Sequence, residues 1–144
     1  MQSSLARVLV AVDGSTNAHK AFESALDLAK KLRSNVYVLR VIEMPSTLGV
    51  KKELMLDLKM QFEIEARRLL AEYFYLAQSK YGIEVETIFR SGYPPRVILD
   101  VAKEKDADLI VVGSRGLSGV KEAFLGSVSH SIARESKIPV LVVK

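Results

Sequence analysis

The sequence predicts a doubly wound α/β domain built on a parallel sheet. Five short β-rich runs, 8–12, 35–42, 84–89, 108–112 and 140–143, alternate with segments of helical periodicity, the pattern of parallel strands joined by helical crossovers. The first, fourth and fifth runs are continuously apolar, as in strands covered by helices on both faces, and are expected to be central or well protected. Right-handed crossovers restrict the strand order to a few arrangements without choosing among them.

Each helix has its own signals. After Ser15-Thr16-Asn17, the residues Ala18, Ala21, Phe22, Ala25, Leu26, Ala29 and Leu32 recur at helical spacing, and Lys30, Lys31 and Arg33 place positive charge at the negative end of the dipole. The second helix is predicted over 52–79, with Leu54, Leu58, Phe62, Ala66, Leu69, Leu70, Tyr73, Leu76 and Ala77 on one stripe and Gly82 beyond its end. Pro94-Pro95 begins a third helix carrying Val97, Ile98, Val101 and Ala102, since proline costs little in a first turn. A fourth spans 127–136 and leads through Pro139 to the last strand. There is no internal repeat or low-complexity segment.

Composition narrows the function. At 144 residues the chain is read as one domain, 1–144, able to bury a core without staples. It has no cysteine, which removes thiol chemistry, and its only histidines are His19 and His130, with no H-x3-H spacing for zinc and no Ser-His-Asp constellation. The 21 basic and 17 acidic side chains give a net charge of +4 and are mixed along the chain. Mild basicity suits an anionic ligand, while the lack of a basic stripe or aromatic platform argues against a nucleic-acid partner. No apolar run reaches membrane length and residues 1–7 lack an apolar signal core, so a cytoplasmic protein without membrane attachment is expected.

The main functional motif follows the fourth run. Gly113-Ser114-Arg115-Gly116 succeeds Leu109-Ile110-Val111-Val112, and Gly126-Ser127 opens the last helix, giving G-x2-G-x9-G-S. Glycines let backbone N–H groups approach an anion, and a helix start adds uncapped amides, a positive dipole end and here a hydroxyl. Glycines after a strand also make ordinary turns. Gly119 extends the spacing, yet neither G-x-G-x-x-G nor G-x4-G-K-(S/T) occurs, which excludes a dinucleotide fingerprint and a P-loop. Asp13, in Asp13-Gly14-Ser15, reads either as a turn or cap residue or as a ligand carboxylate. Arg115 either screens phosphate charge or is solvated. Ser129 and Ser131 reach a phosphate or bond back to local carbonyls, the local role being preferred for Ser131.

With G-x2-G-x9-G-S, an Asp closing the first strand, and Pro139-Val140-Leu141-Val142-Val143 at the end, the chain resembles the universal stress protein family in its ATP-binding branch, over essentially its whole length. The resemblance implies a Rossmann-like fold of the adenine nucleotide alpha hydrolase kind: three layers around five parallel strands in the order 3-2-1-4-5. Connections then leave the first and fourth strands in opposite directions, and the crevice at their carboxyl ends takes the ligand. Asp13 and Gly113 both end there.

The same resemblance assigns phosphate contacts to the backbones of Gly113, Gly116 and Gly126 and to the Ser127 side chain; Arg115, Val128 and Ser129 are further candidates from their own positions. It gives Asp13 to the ribose or to a metal carried by the nucleotide, and Val41 to the base through its main-chain N–H and C=O. Ala11 is a further contact, where relatives often carry another small residue or proline. The implied ligand is ATP with Mg or Mn on its phosphates, and the implied partner a second copy paired through strand 140–143, whose apolar edge needs cover.

The expected function is a nucleotide-dependent sensor or regulatory module in stress response, with room for a protein partner. A slow ATPase or phosphotransferase is the enzyme alternative, with Glu43 and Glu122 the nearest carboxylates. A nucleotide-free dimeric scaffold is the third reading. The sensor is preferred because no dedicated base, transition-state lysine or acceptor site is visible. Met44, Leu48, Met55, Leu56 and Met60 read equally as lid or partner contacts and as core.

Overall fold

The computed structural model describes residues 5–44, 49–115 and 126–144. Its strands are β1 (Arg7–Ala11), β2 (Asn35–Ile42), β3 (Glu86–Ser91), β4 (Leu109–Gly113) and β5 (Val140–Val143). They form one sheet in the order β3-β2-β1-β4-β5, with every neighbouring pair parallel. The crossovers contain α1 (Thr16–Leu32), α2 (Lys52–Leu76), α3 (Pro94–Glu104) and α4 (Ser127–Glu135).

Alternate residues of each strand point to opposite faces, and both faces are covered. Val8, Val10, Val36, Val38, Leu109 and Val111 pack with Phe22, Leu26, Leu70 and Tyr73 beneath α1 and α2. Leu9, Leu39, Val41, Ile110 and Val112 pack with Ile98, Val101 and Ile132 beneath α3 and α4. This two-sided burial is why β1 and β4 read as continuous apolar runs. The rings of Phe22 and Tyr73 lie 4.5 Å apart and join α1 to α2 across the first of these cores.

β5 departs from the expectation of a central or well protected strand. It lies at the edge of the sheet, with Leu141 38% exposed and its neighbours half-buried. Burial within one chain therefore accounts for the apolar character of β1 and β4 but not for all of β5.

The helix boundaries follow local chemistry. Ser15 caps α1, its hydroxyl accepting from Ala18 N–H at 3.1 Å. α2 gives way to a π-helical turn, Ala77–Tyr81, before Gly82 turns the chain at φ +65°, and β3 starts two residues later than its sequence suggests. The fully buried side chains of α2, Ala66, Leu70 and Tyr73, all lie in its second half. Leu54, predicted to lie on the buried stripe, is 54% exposed, and Leu56 and Met60 are exposed as well. Met44 and Met55 are half-buried, and Leu48 lies outside the described residues.

One glycine sets the spacing between α1 and the sheet. A Cβ on Gly113 would sit 2.8 Å from the carbonyl carbon of Asn17 and 3.0 Å from the nitrogen of Ala18, both backbone atoms of the first turn of α1. Neither can yield without moving the helix. Gly113→Ala is therefore expected to lower stability by ~1–3 kcal/mol, the usual cost of overpacking a filled site. Urea unfolding of both proteins measures this, and an unchanged midpoint would show that α1 does not press on the end of β4.

Candidate functional site

The carboxyl ends of β1, β2 and β4 surround a cleft of about 300 Å³. Ala11, Asp13, Val41, Gly113, Arg115, Gly126, Ser127, Val128 and Ser129 all line it. Gly116, Gly119 and Glu122 lie outside the described residues. A hollow of about 480 Å³ also opens between the start of α1 and α2, lined by Gly14, Ser15, His19, Glu72 and Tyr73 among others. There Ser15 serves as a cap, His19 pairs with Glu23 at 3.4 Å, and burial pushes the Tyr73 phenol up to about 12. The smaller cleft has the convergent backbone groups.

Ser114, directly after β4, organises one wall. Its N–H donates to Val143 C=O at 2.8 Å, and its hydroxyl accepts from Asn17 Nδ2 at 3.0 Å. Its carbonyl accepts from Gly126 N–H at 2.6 Å and from the Ser129 hydroxyl at 3.1 Å. The start of α4 is thereby held against the end of β4. A Cβ on Gly126 would approach the Ser114 carbonyl oxygen to 3.1 Å. Gly113 and Gly126 are thus both constrained by protein packing, a reason that differs from the open approach to an anion read from the sequence.

Gly126 is the N-cap of α4 and supplies no side-chain cap. The first intrahelical bond runs from His130 N–H to Gly126 C=O at 2.9 Å, so the amides of Ser127, Val128 and Ser129 have no acceptor within the helix. These three residues lie on the cleft together with the exposed Arg115. The Ser129 hydroxyl also reaches Gly126 C=O at 3.1 Å, so as a donor it serves the protein.

Across the cleft, Asp13 Oδ1 accepts from Ser15 N–H at 2.9 Å, closing the turn that Gly14 makes at φ +85°. Ser15, not Asp13, is the helix cap. The Asp13 carboxylate still lines the cleft.

Val41 is positioned by the alternation of backbone groups in a parallel strand. Leu39 C=O accepts from Val12 N–H at 2.9 Å, toward β1, while Ile42 C=O accepts from Gly92 N–H at 3.0 Å, toward β3. The N–H and C=O of Val41 consequently face the β1 side, where that strand has ended. The Val41 carbonyl accepts from Arg40 Nη1 at 2.7 Å.

Arg40 is a wall residue that belongs to none of the sequence motifs. Its sequence signal is a single cation in the apolar run Val36–Ile42. Burial pushes its guanidinium pKa below the ordinary value, against the opposing charges of Asp13 and Glu65. Glu43 lines the rim, and Pro94 and Ile98 give an apolar surface near Val41. Among the described residues no three His, Asp or Glu side chains converge as a metal site, and His19 and His130 sit apart on α1 and α4.

A carboxylate, helix amides that lack an acceptor within α4 and a strand backbone with no neighbouring strand thus meet where the connections of the sheet diverge. This places the molecule among doubly wound α/β proteins, whose ligands bind at that point. A family model described as the universal stress protein family matches residues 5–144, and the chain belongs to that family. It is 38% identical to universal stress protein YxiE of Bacillus subtilis over 96% of this chain and 98% of that protein.

Solved structures agree in fold. Universal stress protein UspA from Lactobacillus plantarum superposes with a TM-score of 0.90 over 99% of both chains at 22% identity. A universal stress protein in complex with cAMP gives 0.76 at 27% identity over 99% of each chain. The universal stress protein from Archaeoglobus fulgidus in complex with dAMP gives 0.69 at 28% identity over 100% of each.

Proposed function

We propose that the protein binds an adenine nucleotide in the β1–β4 cleft, ATP with Mg or Mn on its phosphates, and acts as a nucleotide-dependent regulatory module in stress response. The observation that carries this reading is the meeting of Asp13, Val41 and the first turn of α4 on one cleft. The cAMP and dAMP bound by related proteins support an adenine nucleotide as the ligand. A cysteine-free chain suits action in the reducing cytoplasm.

The roles follow from the chemistry of each wall. Amides of Ser127 to Ser129, the Ser127 hydroxyl and the Arg115 guanidinium meet the phosphates, where the positive end of the α4 dipole also acts. Gly113 and Gly126 shape this end, and Gly116 completes the family motif. Asp13 accepts from ribose hydroxyls or helps hold the metal that arrives with the phosphates. Val41 reads the base through its backbone, with Ala11, Pro94 and Ile98 against the ring.

Holding ATP requires these groups; fast phosphoryl transfer also requires an aligned nucleophile and stabilisation of charge at the γ-phosphate. Glu43 is a carboxylate at the rim, and among the described residues no contact aligns it as a base. In this reading ATP is retained, with hydrolysis slow at most.

β5 supplies a second interface. Its apolar residues at the sheet edge suit strand pairing with another copy across a two-fold axis, which would satisfy the outer backbone groups.

Three measurements test this reading. Ser127→Ala removes one charge-assisted hydrogen bond to phosphate, worth ~1.5–3 kcal/mol, so calorimetry should show ATP binding weakened about tenfold to hundredfold and adenosine binding unchanged. Equal loss for both ligands would move the phosphates away from α4. In a single-turnover assay with labelled ATP and magnesium or manganese, most nucleotide should survive for minutes; turnover near ~1–100 s⁻¹ would favour the enzyme reading. Analytical ultracentrifugation should show a dimer that Val142→Lys dissociates, whereas a wild-type monomer well above micromolar concentration would remove the β5 interface.

A further inference from the structure

We propose that Arg40 sets the base specificity of the cleft, making it accept purines that carry a 6-oxo group as well as those that carry a 6-amino group. The inference rests on the reading of the cleft as a nucleotide site and concerns only its base end.

The geometry begins with the Val41 carbonyl. It faces the space beyond the end of β1, where a base would lie, and it already accepts from Arg40 Nη1 at 2.7 Å. A guanidinium carries five N–H donors and no acceptor, so the base end offers cationic donors beside a carbonyl with one lone pair engaged. Arg40 itself lines the cleft; burial disfavours its charge, and the negative charges of Asp13 and Glu65 offset part of that.

Two kinds of purine meet this edge differently. With the N7 edge toward Val41, either base accepts from the Val41 N–H at N7, and only the 6-substituent distinguishes them. A 6-amino group donates to the remaining lone pair of the carbonyl, with its hydrogens close to a cation. A 6-oxo group accepts from Arg40, the donor and acceptor match by which arginine reads N7 and O6 of guanine. Without Arg40, the 6-oxo oxygen would face a bare carbonyl oxygen, and the 6-amino group would face a free acceptor. Arg40 therefore narrows the difference between the two classes.

Calorimetric titration of the full chain with ATP and inosine triphosphate tests this, since the two ligands differ at position 6 and in the N1 proton that accompanies it. The wild type should bind them within about threefold of each other, while Arg40→Met, which keeps length and packing but removes the donors, should favour ATP by about tenfold or more. Arg40→Lys, which keeps a cationic donor, should retain a ratio within about threefold of wild type. A wild type that rejects inosine triphosphate by about a hundredfold would overturn the proposal even if Arg40→Met failed to fold. An unchanged ratio in folded Arg40→Met would overturn it as well and leave the nucleotide reading intact. Binding of neither nucleotide to the wild type would defeat that reading, and the role of Arg40 with it.

Discussion

Ser114 ties together the elements on which the cleft depends. Its N–H holds β5, its hydroxyl holds the first turn of α1 through Asn17, and its carbonyl holds both Gly126 and Ser129 at the start of α4. Each bond contributes about 1 kcal/mol net, but stranding one of these groups in the protein would cost up to about 3 kcal/mol, so they are strongly coupled. Ser114 is itself buried. The consequence is geometric: the amides that lack an acceptor within α4 are held at a fixed height above the sheet, opposite the point where β1 ends.

The cleft combines unlike environments. The α4 amides and Arg115 line it, as do Pro94, Ile98 and Val41, whose carbonyl accepts from Arg40 Nη1 at 2.7 Å. Asp13 and Arg40 interact electrostatically. Such a set of environments suits a ligand with phosphate, sugar and ring, and the exposure of the Val41 backbone arises because β1 stops while β2 continues. The next backbone groups of β2 are left facing the cleft instead of a neighbouring strand.

Much of the fold was legible because burial on both faces writes itself into β1 and β4 as uninterrupted apolar residues, and α1 and α3 show their buried sides at helical spacing. β5 misled because an apolar edge strand has the same local pattern as a central one; only the strand order separates them. Leu54 misled because periodicity defines a stripe but not how far along it the helix remains over the sheet. The π-helical turn at Ala77–Tyr81 left no sequence mark that was read. Within the cleft, Asp13 and the Gly126-Ser127 helix start were visible as local motifs. The role of Ser114 was not, because its partners lie up to 97 residues away. The packing roles of Gly113 and Gly126 were hidden for the same reason, and Arg40 was only a charge in an apolar run.

The most direct test of nucleotide binding at the β1–β4 cleft is to titrate isotopically labelled protein with ATP and magnesium and follow its backbone amide resonances. The structure predicts the largest shifts at Val41, Gly113, Ser127, Val128 and Ser129, with little change at Leu69, Glu72 and Leu76 beside the α1–α2 hollow. Shifts confined to that hollow, or none at millimolar ATP, would contradict it.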